Sequence, residues 1–154
     1  MSFLPVGALL PGQEVILDVN AFQATGGTLC RCIADGDIAA GEPVHWSGAP
    51  TDGTLPVSAA DGAESAVEPL AGIAAHDAED GAEVYVVTKG LCTAAKQTGT
   101  AWASGQSLAI GTGKNLVPST QDLDGTKVQV CTIGFAVAAA GSADATGTLW
   151  VNPA

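Results

Sequence analysis

A glycine, two mostly polar residues and then Val or Leu recur six times along this chain. The copies are Gly12-Gln-Glu-Val15, Gly26-Gly-Thr-Leu29, Gly41-Glu-Pro-Val44, Gly81-Ala-Glu-Val84, Gly105-Gln-Ser-Leu108 and Gly125-Thr-Lys-Val128. Glycine takes the positive φ of a tight turn and a branched residue opens a pleated strand, so each copy marks a turn entering a strand. The copies are unevenly spaced, which argues against a solenoid and for a set of β-turns inside one all-β unit. With 20 Gly and 8 Pro in 154 residues, the punctuation is too dense for long helices. The expected fold class is all-β: a small β-barrel or β-sandwich of short strands with an extended N-terminal arm.

Between the turns, period-2 and branched-residue patterns predict strands at 28–34, 43–46, 70–75, 83–88, 91–95, 107–110, 127–138 and 147–151. Two hairpins are expected, 83–88 with 91–95 through Lys89–Gly90, and 127–138 with 147–151. The stretches 47–68 and 111–126, rich in turn formers, read as surface loops. Residues 1–27 read as an arm followed by a first strand at 13–19, where Val15, Leu17 and Val19 alternate with Glu14, Ile16 and Asp18. Residues 28–154 then form a single all-β domain carrying 47–68 as an insertion. In the arm, Phe3, Leu4, Leu9 and Leu10 are large apolar groups in a segment that Pro5, Pro11 and Gly12 keep from becoming a helix. Groups of that kind are worth ordering only if they are buried on something, which makes them candidate partner-contact residues.

The balance of charge limits the partners. Sixteen Asp and Glu against five Lys and Arg leave a net charge of −11, and the five bases are dispersed singly. Neutralising phosphate takes clustered Lys and Arg, so neither nucleic acid nor an anionic membrane is an expected partner. Charged residues are only 14% of the chain, against about 25% in an ordinary soluble domain, so much of its surface is expected to be covered. The first ten residues lack the basic start of a secretion signal, and no window reaches the roughly 18 apolar residues of a spanning helix. Synthesis in a reducing cytoplasm follows, with Cys30, Cys32, Cys92 and Cys131 as buried thiols.

No pattern for chemistry holds. Cys30-Arg-Cys32 turns two thiols to one face of a strand, but the C-x₂₋₄-C and H-x₃₋₅-H pairs of structural zinc are missing. Asp77-Ala-Glu-Asp80-Gly81 lacks the spacing of a calcium loop and reads as a turn whose carboxylates bond backbone. Gly111-Thr-Gly-Lys114 is followed by Asn115 rather than Ser or Thr, so it reads as a surface turn and not a phosphate loop. His45 and His76 are expected on a strand surface and in a loop. Catalytic, cofactor-binding and metal residues are therefore none. A hydrolase with a Cys/His pair assembled only in the fold is the weakest of the competing readings.

Several segments together carry a family likeness. Leu70-Ala-Gly-Ile-Ala-Ala-His-Asp-Ala-Glu-Asp-Gly-Ala-Glu-Val-Tyr-Val-Val-Thr-Lys-Gly90 is followed by Ala94, Ala95 and the strand from Gly105 to Ile110. The chain then closes with Ile133-Gly-Phe-Ala136, Ala138 to Gly141 and Gly147-Thr-Leu-Trp-Val151. In this order the segments resemble small, Gly/Ala/Val-rich phage head-decoration, or capsid cement, proteins, from about residue 26 to 151. The longer arm and the 47–68 loop depart from the shortest members. The resemblance implies a mostly β homotrimer on the outer capsid surface of the virion, made in the host cytoplasm, that clamps neighbouring major capsid protein subunits and needs no cofactor. The alternative is another virion or surface β-module, such as a tail component or a glycan-binding domain in which Trp46 and Trp102 stack on sugar rings.

Overall fold

A computed structural model describes residues 26–61, 69–119 and 132–153, and these hold nine β-strands and no helix. They are β1 (Thr28–Ala34), β2 (Pro43–Trp46), β3 (Pro56–Ala59), β4 (Leu70–Ala74), β5 (Glu83–Ala95), β6 (Ser107–Ile110), β7 (Leu116–Pro118), β8 (Thr132–Ala136) and β9 (Thr146–Val151). The expected arm, with Phe3, Leu4, Leu9 and Leu10, and the expected strand 13–19 lie outside the described residues. So do residues 127–131 of the long strand expected at 127–138.

Strands β1, β3, β2, β4 and β5 pair in that order, and β5 pairs back to β1, which closes a five-stranded barrel. The β1–β3 pair is parallel and the other four are antiparallel. The bore of so few strands is narrow, and it is filled by Cys32, Ala34, Ile38, Val44, Val57, Ala71, Ala74, Val84 and Val86. This narrowness is why a chain so rich in Ala and Val, and so poor in aromatics, packs a dry core. Fully burying each Val or Ile contributes about 1.5–3 kcal/mol.

The expected hairpin at Lys89–Gly90 does not form. Residues 83–89 pair with β1 and β4, while residues 90–95 pair with β9, so the two halves of β5 never face each other. Gly90, at φ 120°, is where one continuous strand leaves the barrel and enters a second sheet of order β5-β9-β8-β6-β7. Two strands also stand inside segments expected to be loops. Both β3 and β7 are only three or four residues long and carry a proline, Pro56 and Pro118, so neither shows an extended alternating run. The hairpin of β8 with β9 forms as expected.

The second sheet repeats the plan of the first. Residues 90–95 stand to β9, β8, β6 and β7 as β1 stands to β5, β4, β2 and β3. In the first unit Gly72 pairs with Val44 at a register shift between β2 and β4; in the second Gly134 pairs with Leu108 at the same shift between β6 and β8. Ile38 and Ala78 exchange two backbone hydrogen bonds, as do Trp102 and Ala140. Glu42 Oε2 accepts from the Ala39 N–H and Gln106 Oε1 from the Ala103 N–H, closing matched turns before β2 and β6. The parallel contact Ala34–Val57 has its counterpart in the bridge Lys96–Leu116. Gly72 and Gly134 share φ values of 155° and 157°, and a Cβ on either would run into a strand carbonyl, of Val87 and Trp150 respectively.

The units differ in how the equivalent volume is filled. Where the first has Ile38 and Val84, the second has Trp102 and Gly147, and the Trp102 ring occupies the space that a Cβ on Gly147 would need. Lys96, buried at the place of Ala34, donates from Nζ to the carbonyls of Gln97 and Asp144, each at 3.1 Å. The inner face of the second sheet also joins the outside of the first barrel in one cluster. It includes Leu108, Ile133, Leu149 and Val151 with Leu70, Ile73, Ala75 and Val87, and Leu29 packs against it.

Candidate docking surface

On an antiparallel sheet, residues directly opposite each other point to the same side. Leu91 faces Trp150, Trp150 faces Phe135 and Phe135 faces Ser107, so these four form a row across four neighbouring strands. Val137, just past the end of β8, donates its N–H to the Thr148 carbonyl and extends the row at one end. The row looks away from the buried core: Leu91 is 47% exposed, Phe135 42% and Val137 37%, and they are the exposed large hydrophobics among the described residues. Trp150 is half-buried. Thr93 and Thr148, opposite each other on the same face, continue it without adding charge.

The equivalent positions of the first unit are Leu29, Val87, Ile73 and Ala75. The last three are buried and Leu29 is partly so, because the second sheet covers them. Among the described residues, the same face is thus covered in one unit and left uncovered in the other. Uncharged apolar area of this kind on a folded surface marks a site for contact. Sequence reasoning did not single out this row. Its signal lay in the parity of β8 and β9, where Phe135 and Trp150 alternate with the buried Ala136 and Leu149.

The acidic residues serve the loops. Asp77 Oδ1 accepts from the Ala40 N–H at 2.7 Å, and Asp80 Oδ1 from the Gly36 N–H at 2.9 Å. Asp37 Oδ1 returns the arrangement by accepting from the Asp80 N–H at 3.1 Å. The 77–81 cluster therefore holds the loop after β4 against the loop after β1, an expected backbone-bonding role reached across the chain rather than within its own turn. Arg31 on β1 and Glu83 on β5, a diagonal pair two residues from direct opposition, form an exposed ion pair with N···O 2.6 Å.

The histidines are not surface groups: His45 is 8% and His76 7% exposed. His76 Nε2 accepts the Tyr85 N–H at 3.1 Å, which leaves the proton on Nδ1 to be donated to the Asp77 carbonyl at 2.8 Å. Both ring nitrogens are thus committed to backbone. Cys30 and Cys32 do share a face of β1, and Cys92 takes the place of Cys30 in the second unit. Burial, then the neighbouring Cys30, pushes the Cys32 thiol up to about 12, and burial alone pushes Cys92 up as well. These are poor nucleophiles. Trp102, at 2% exposure inside the second unit, has no face to offer a sugar, and Trp46 packs against the first core. The 111–114 segment is a surface turn in which the Gly113 N–H donates to Asp61 Oδ1 at 3.3 Å.

A sequence model described as phage cement protein matches residues 32–151, from within β1 to the end of β9. Among solved structures, the crystal structure of the head fiber gp8.5 N base in bacteriophage phi29 is similar in fold. It has a TM-score of 0.52 and 20% sequence identity, covering 82% of this chain and 94% of that one. No curated protein sequence matches.

Proposed function

Because the chain belongs to the phage cement protein family, we propose that it clamps neighbouring major capsid protein subunits from the outer face of the shell, as a homotrimer. It is a structural virion protein that binds the capsid, and the capsid is its place in the virion. The family is one of phage structural proteins, not of enzymes. The observation that carries the reading is the extent of the family match, 32–151, which takes in both barrel-like units.

The physical chemistry supports the finer reading. A clamp needs no reacting group; it needs apolar groups that neighbours can close over, and the large side chains before Pro11 are groups of that kind. In the arm, Phe3, Leu4, Leu9 and Leu10 lie across an adjacent subunit. Ordering such a segment costs about 1–2 kcal/mol per residue, so those side chains must be buried to hold it. Many equivalent copies on one lattice let modest single contacts add up through avidity. Synthesis in the host cytoplasm fits the same reading.

The test is binding to capsids stripped of this protein, with light scattering of the free protein. A trimer that restores the resistance of such capsids to rupture is the expected result. A monomer indifferent to capsids overturns the proposal. Deleting residues 2–10 is expected to weaken capsid binding at least tenfold while the β circular-dichroism signal stays intact; unchanged affinity removes the arm from the account.

A further inference from the structure

The face formed by Leu91, Phe135, Val137 and Trp150 is left uncovered by the described residues, and its counterpart in the first unit is buried. What could cover it is indicated by where the described chain begins. A Cβ on Gly26 would stand 3.6 Å from the outer edge of the Trp150 ring, so the chain before Gly26 starts at the border of this face. We propose that residues 13–25 of the same chain lie across the outer face of the second unit, taking the place that the second sheet takes on the first.

Reach and chemistry both fit. The row crosses four strands, and neighbouring strands are about 4.8 Å apart, so it is roughly 15 Å wide. Six extended residues span about 20 Å, so the chain from Gly26 crosses the face within residues 19–25 and can return over it with 13–18. Phe22 is the nearest large apolar group to the starting point. Further back, Val15, Leu17 and Val19 alternate with Glu14, Ile16 and Asp18, so an extended segment turns three apolar side chains one way and both its charges, with Ile16 between them, the other. The Thr93, Thr148 and Ser107 rim carries no charge that would oppose this. Anchored so, residues 13–25 fix the point from which residues 1–12 depart.

The proposal concerns the isolated protein and stands or falls separately from capsid binding. It is tested by solution NMR on the full chain, in a sample mixing isotope-labelled and unlabelled copies. Contacts from Phe22, Val19 or Leu17 to Trp150 or Phe135 are expected within one copy. Phe135→Ser is expected to raise amide exchange across 13–25 at least tenfold while β1 to β4 keep their protection. Should Phe135→Ser not fold, Leu91→Ser, at the most exposed position of the row, gives the same reading. Absence of those contacts, contacts only between different copies, or exchange in 13–25 that neither substitution changes, each overturns the proposal.

Discussion

The two units of this chain share a strand plan, a register shift and a pair of matched turns, yet they solve the problem of an outer face differently. In the first, Ile73 and Val87 are sealed by the rest of the chain; in the second, Phe135 and Trp150 occupy the same positions facing outward. A single stacking step inside one chain always leaves a last face without a successor, as in any short array of like modules. Among the described residues, the end face is therefore where contact area is left for a further segment.

If the units are equivalent, the strand glycines should fail alike. Gly72→Ala and Gly134→Ala each drive a Cβ into a carbonyl at a φ that alanine avoids, and each is expected to cost about 4 kcal/mol or more, read by chemical denaturation. Tolerance of either one breaks the equivalence at its most constrained point. The filling of the two bores gives a sharper test. Trp102→Ile should leave a cavity and Gly147→Val should overpack, each costing about 3 kcal/mol. Combined, they rebuild the Ile38–Val84 pairing and should recover at least about 2 kcal/mol of the summed loss in a double-mutant cycle.

The faces should separate in the opposite sense. Ile73→Ser in the covered face is expected to cost about 3 kcal/mol, and Phe135→Ser in the outer face of the second unit about 1.5 kcal/mol, both by thermal melting. Equal costs would mean that the open face is sealed as firmly as the covered one. Thiol chemistry gives the smallest effect. Cys32 and Cys92 ionise above the ordinary thiol value of 9.0, so the folded chain holds their protons longer than the unfolded chain does. Their contribution is complete below pH 9 and falls as pH rises toward 12, and stability should decline across that window. At pH 8 alkylation should take the half-buried Cys30 well ahead of both.

Much of the fold was legible because glycine punctuation and branched residues act locally. The Gly-x-x-[VL] string opens β1, β2, β5 and β6, and the expected ranges 28–34, 43–46 and 107–110 are those observed. What escaped depends on partners distant in sequence. Lys89–Gly90 has the look of a tight turn, and only the pairing of its flanks with β1, β4 and β9 makes it a passage between sheets. The doubling of the plan is hidden because a pair such as Ile38 with Val84 can be exchanged for Trp102 with Gly147 at nearly constant volume, leaving little to read by eye. His76 was missed since its place is set by Tyr85 of β5, whose N–H and ring it meets. The outer row of the second unit was missed because exposure, unlike alternation, is decided by what fails to cover it.

The unbroken passage of β5 through both units sets how the molecule answers to force. Its backbone is one covalent line shared by two cores, so neither core can swing away on a linker, and a pull on one is felt as tension in the other. Displacing β5 lengthwise would mean sliding it past β1, β4 and β9 together, shearing their hydrogen bonds in concert rather than unzipping them singly. A domain built this way yields late and all at once.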